Sequence, residues 1–106
     1  MNKDMEVCNE KVRAYYNSEG KLIQYPTIKQ MKIIVLWEIA EKFELGKKYT
    51  EKEVNEIIKE SIAFSDVRLI RRELYEYMFI DKLRDSSVYW LESDWREMYG
   101  EYIKKL

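Results

Sequence analysis

The chain has 106 residues, enough for one domain, with 46% apolar residues, 37% charged residues and a formal net charge of −1. No apolar run approaches the ~20 residues of a membrane-spanning helix, so no membrane partner is expected. The absence of histidine and the presence of one cysteine, Cys8, exclude Ser-His-Asp and Cys-His catalysis, histidine metal ligation and an internal disulfide.

The opening residues MNKDMEVCNEK lack the apolar stretch of a signal peptide, and lone-cysteine usage points to a cytoplasmic location. Gly20, Gly46 and Gly100 stand far apart, so no phosphate-cradling loop is present. Acids alternate with lysines along helical segments, as in solvated faces. No enzyme activity, metal or cofactor is expected. Positive and negative residues balance within each stretch of the chain, so there is no basic tail, although a local basic patch is compatible with a neutral total.

In chain order, Met5, Cys8, Val12 and Tyr15 fall at helical spacing in a first helix over 4–16. The stretch 17–20 is a turn signal. Residues 22–25 form a short extended piece, and Pro26 pushes Tyr25 out of the helical region. A second helix runs from about Ile28 to Phe43, with Ile33, Trp37, Ala40 and Phe43 or Glu44 on one stripe, flanked by Ile34 and Leu36. Trp37 should be buried against Leu74 and Ile57. Gly46 stops this helix, and Lys48 and Tyr49 form a very short strand.

Thr50-Glu51-Lys52-Glu53 matches a capping box, in which the Thr50 and Glu53 side chains each satisfy the other's backbone N–H. The third helix continues through Val54, Ile57 and Ile58 to about Ser61. Ser65 or Asp66 caps the fourth, whose buried stripe is Val67, Ile70, Leu74 and Tyr77 or Met78. Two β-like runs follow, 79–83 and 88–91. Ser93 or Asp94 caps a fifth helix with Trp95, Met98, Tyr99, Tyr102, Ile103 and Leu106 on one face.

Helix, turn, helix, hairpin is the order of a winged helix-turn-helix. The expected fold is therefore α+β, mostly α: a single domain over 1–106, with a winged-helix-like core over 16–91 and peripheral helices over 1–15 and 92–106. The fourth helix stands where a recognition helix would. With Val67, Ile70 and Leu74 inward, Arg68, Arg72 and Tyr75 share the outward face, with Arg71 beside them and Lys82 and Arg84 on or near the wing. Arginines bind phosphates or guanine edges, and an aromatic contacts bases or sugars. Against this, Asp66, Glu73, Glu76 and Asp81 lie close enough in sequence to neutralise these bases.

Fifteen aromatic residues exceed what a minimal winged helix requires. Tyr15, Tyr16, Trp95, Tyr99 and Tyr102 of the terminal helices cap the core or form a dimer surface, two roles that can hold together, and the candidate homodimer face is Trp95, Met98, Tyr99, Tyr102 and Ile103.

The segments YNSEGKLIQYPTIK (16–29), LWEIAEKFELGKKYTEKEVNEII (36–58) and DVRLIRRELYEYMFIDK (66–82), with the closing Tyr89 and Trp90, resemble a bacterial family, number 2087 among the domains of unknown function. The resemblance implies a winged-helix-like, transcription-associated domain and supplies no ligand or catalytic residue. This chain departs from the pattern at two places. Met78 stands where glycine is expected, and the wing turn Asp85-Ser86-Ser87 contains no glycine.

Two functions fit. One is a small non-catalytic regulatory domain binding double-stranded DNA. The alternative is a protein-interaction or dimerisation module, with a regulatory protein or a second copy as partner.

Overall fold

The computed structural model describes residues 9–105. Met5, Cys8 and Leu106, read above as parts of helical faces, lie outside these residues. The first helix, α1, is described over 9–12 and tightens into a 3-10 turn at Arg13–Tyr15, with Val12 buried. The chain then doubles back. Asn17 Oδ1 accepts from the N–H groups of Glu19 and Lys21, and Tyr16 pairs antiparallel with Leu22.

Leu22 then clips the connection between the next two helices. Its N–H donates to Ser61 O at 2.9 Å, and its carbonyl accepts from Ala63 N at 2.7 Å. The extended piece expected over 22–25 is thereby reduced to a bridge at Leu22.

Helix α2 spans Lys29–Ala40. The expected stripe and its flanks Ile34 and Leu36 are buried, and burial extends further, to Val35 and Ile39, so that Ile33, Ile34, Val35, Leu36, Trp37, Ile39 and Ala40 are all inside. A helix apolar around most of its circumference is one that neighbours surround. It ends three residues earlier than the periodicity predicts. Lys42 N donates to Ile39 O and Phe43 N to Ala40 O, each at 3.0 Å, so the last turn tightens instead of continuing. Phe43 completes the inward face and Glu44 is exposed.

Helix α3 spans Glu51–Ser61. Both capping-box bonds are made: Glu53 N to Thr50 Oγ1 at 3.1 Å, and Thr50 N to Glu53 Oε1 at 2.9 Å. The backbone bond keeps the Glu53 carboxyl below its ordinary range. Helix α4 spans Val67–Glu76, with Asp66 as the cap through Leu69 N at 3.1 Å.

The end of α4 decides between the two residues that could close the expected stripe: Tyr77 packs against the core, partly buried. Ile70 and Leu74 are buried, but Met78 is 54% exposed, with φ at +65°. The reason is a Schellman stop. Phe79 N donates back to Leu74 O at 2.9 Å and Met78 N to Tyr75 O at 3.0 Å, which places Met78 at the left-handed position that glycine usually fills. Phe79 and Leu74, the two residues such a stop brings together, are both buried.

Strands β1 (Ile80–Lys82) and β2 (Tyr89–Leu91) form an antiparallel hairpin pairing Ile80 with Leu91, Asp81 with Trp90 and Lys82 with Tyr89. The turn between them places Ser86 at φ +62°, again where glycine was expected. Tyr49 exchanges two 2.8 Å backbone bonds with Tyr89, so the short strand expected at 48–49 is a single bridge on the far side of β2.

Helix α5 (Trp95–Lys104) closes over the core. Trp95 meets Trp37 edge to face at 4.8 Å, and Phe79 stacks on Tyr99 at 4.9 Å. Trp37 is buried as the sequence implied, but its ring partner is Trp95. The fold is α+β, mostly α, and its elements run helix, bridge, helix, helix, hairpin, helix after the N-terminal turn. Among the described residues no helix is long and apolar enough to cross a membrane.

Candidate nucleic-acid interface

The hydrophobic period of α4 fixes which of its side chains face outward. Burying Ile70 and Leu74 leaves Arg68, Arg72 and Tyr75 on the opposite arc, one helical turn apart. The hairpin that follows the Schellman stop folds back beside this arc. Its Lys82 and Tyr89 are cross-strand partners and therefore share one face. Together these elements line a groove of about 320 Å³, formed by Arg68, Arg71, Arg72, Tyr75 and Glu76 of α4, Glu51 of α3, and Lys82, Ser86 and Tyr89 of the hairpin.

Of the six residues read from sequence as a DNA-contact set, the structure brings five into this groove and leaves Arg84 outside it, exposed in the wing turn. The five are not equivalent. Arg71 is half-buried and held internally: its Nη2 lies 3.3 Å from Glu51 Oε1, and its Nη1 donates to Asn55 Oδ1 at 2.6 Å. Tyr89 also donates its hydroxyl to Glu51, at 3.2 Å. Lys82 Nζ donates to Ser86 Oγ at 2.6 Å and sits 5.4 Å from the Tyr75 ring centre, so a neutral hydroxyl and a ring face position it. Arg68 and Arg72 are exposed and make no ion pair among the described residues.

The acids expected to neutralise this face do so less than their spacing implies. Glu73 is buried and turned toward α2, where its Oε1 lies 3.5 Å from Lys32 Nζ. The Tyr25 phenol lies near that pair; burial first, and the Glu73 carboxylate second, push it above the ordinary range. Asp66 caps α4, and Asp81 accepts from Lys82 N. Glu76 remains on the groove. The acid that matters most is Glu51, which sequence proximity did not single out because it belongs to α3.

The face of α5 read as a homodimer surface is largely internal. Trp95 and Ile103 are buried within the chain, and Tyr99 donates its hydroxyl to Tyr77 O at 2.8 Å. Arg96 covers the outside of Trp95 at 4.4 Å and pairs with Glu41 at 3.4 Å. Met98, Tyr99 and Tyr102 keep partial exposure.

A second groove, of about 590 Å³, opens on the opposite face of the hairpin. Leu45, Leu83, Val88 and Trp90 give it an apolar floor, and Lys47, Lys48 and Glu92 stand at its margin. It was not foreseen from sequence. The signal was present in the parity of the hairpin: residues 88 and 90 share a face, which a half-buried strand would leave polar. Among the described residues no cluster of three or more cysteine or acidic side chains is placed to hold a metal ion.

No curated protein and no solved structure matches this chain. The family described as "Uncharacterized protein conserved in bacteria (DUF2087)" matches residues 21–91, from just before the Leu22 clip to the end of β2. The chain belongs to that family.

Proposed function

We propose that this protein is a non-catalytic, winged-helix-like regulatory domain that binds double-stranded DNA through α4 and the hairpin. The observation that carries the reading is the convergence of Arg68 and Arg72, both exposed and without an ion pair among the described residues, with Lys82 and Tyr75 along one groove. The element order supports it. A helix whose outward arc is basic follows a short turn after another helix, and a hairpin stands beside it to reach the backbone. Cations outnumber acids in the groove, with Arg68, Arg71, Arg72 and Lys82 against Glu51 and Glu76. That local excess is compatible with a net charge of −1.

The test is a gel-shift or anisotropy assay on pooled duplex fragments at low salt. The wild-type chain is expected to bind, and the Arg68→Ala/Arg72→Ala variant, with its circular dichroism unchanged, is expected to lose most of that binding. The alternative, a protein-interaction module without DNA binding, draws support from the apolar groove on the other face of the hairpin. It takes over if the wild-type chain ignores DNA.

A further inference from the structure

The outer face of the hairpin carries more apolar surface than a solvated hairpin should. Leu83 is 47% exposed and Leu45 56%, and with Val88 and Trp90 they floor the 590 Å³ groove. Scattered exposed leucines need no explanation, but a contiguous patch with a charged margin does.

The register arranges those charges. Asp81 is the cross-strand partner of Trp90, so both project from the same face, opposite to Lys82 and Tyr89. On the other side of β2 the Tyr49–Tyr89 bridge brings Lys48 alongside Trp90, and both line the groove. Across the face the order is therefore lysine, tryptophan, aspartate. Glu92 adds to the acidic margin; burial first, and then the Asp81 carboxylate, raise its carboxyl above the ordinary range.

A face with a cation on one flank, an aromatic in the middle and an acid on the other is complementary to itself. A two-fold axis parallel to the strands, lying between two such faces, sets each Lys48 opposite the other copy's acidic flank and stacks the Trp90 regions. An isologous interface requires this reciprocity. We infer that this face pairs with a second copy of the chain, as a face-to-face homodimer centred on Trp90, with Lys48 of each protomer opposing Asp81 of the other. The interface leaves the α4 groove open on the outside of each protomer. The groove is lined by ten residues, against about 20–30 a side in a standard stable interface, so association is sought at micromolar and higher concentrations.

The test is sedimentation equilibrium of the full chain, from about one to several hundred micromolar, with charge-reversed variants. Lys48→Glu and Asp81→Lys, each alone, place two like-charge contacts in the homodimer and should weaken association at least tenfold. Mixing the two variants in equal amounts should restore it, because in the mixed dimer both contacts are again opposite in sign. Leu83→Asp, at an exposed position, should give a monomer with native circular dichroism. A wild-type chain that stays monomeric throughout the range overturns the inference. So does a dimer that persists in Leu83→Asp, or a mixture of the two charge variants that associates no better than either alone.

Discussion

The Trp37 and Trp95 rings meet edge to face, with centroids 4.8 Å apart and planes at 62°. Trp37 lies within the family region, and Trp95 lies four residues beyond its end. The contact ties the last helix to the most buried helix of the core. Trp95→Ala should therefore destabilise the fold by about 3–5 kcal/mol, through lost burial and a residual cavity. Guanidinium unfolding monitored by circular dichroism measures it. A loss below about 1 kcal/mol would show that α5 is a detachable lid.

The two residues that stand where glycine was expected carry a second prediction. Met78 and Ser86 both adopt positive φ, a conformation that costs a side-chain-bearing residue about 1 kcal/mol. Met78 is exposed and its side chain contributes little packing, so Met78→Gly should raise stability by roughly 0.5–1 kcal/mol. Ser86→Gly should gain less, because it also removes the acceptor that Lys82 uses. Thermal melts of both variants beside the wild type check the order.

The third prediction concerns alkaline stability. Tyr16 donates to Glu38 Oε2 at 2.6 Å, and burial, then the Glu38 charge, raise its phenol above the usual 10.0. Burial and Glu73 do the same for Tyr25. A folded-state value above the unfolded one means the stabilisation is fully present below pH 10.0 and is lost as pH rises above it. Stability should fall between about pH 10 and 12, and Tyr16→Phe/Tyr25→Phe should flatten that fall. Urea midpoints across this window give the answer. An unchanged slope in the double variant would assign the loss to other groups.

Glu38 itself titrates in the same sense at lower pH. Burial raises its carboxyl above 4.5, more than the Tyr16 bond lowers it. Its contribution is present below 4.5 and diminishes as pH rises through the elevated value. Glu38→Gln should make stability flatter as pH rises above about 4.5 while keeping an acceptor for the Tyr16 hydroxyl. A curve parallel to the wild type would contradict this.

What the sequence discloses and what it hides follow from how local each feature is. The capping box at Thr50 and Glu53 closes within four residues, so its signature survives without tertiary information. The Schellman stop at Met78 and the turn at Ser86 are equally local, and the missing glycines marked both positions. The outward arc of α4 was legible because its buried residues repeat at three and four. The partners of that arc were not. Glu51 reaches Arg71 from another helix, and Glu73 turns away to Lys32, neither of which spacing along α4 reveals. The apolar period of α5 was visible, but period alone does not distinguish a face packed on the core from one packed on another copy. Trp95 belongs to the first kind.

A grip of α4 and the hairpin on DNA would show in the salt dependence of binding. Each phosphate neutralised contributes about 0.9 to the log–log slope. All five basic residues of the set would give about −4 to −5 per protomer. Arg71 is already paired with Glu51, which leaves Arg68, Arg72, Lys82 and Arg84. The wild type should give a slope of about −3 to −4, falling by about 2 in magnitude in Arg68→Ala/Arg72→Ala. Binding that is absent at low salt, or whose slope is the same in both proteins, would contradict it.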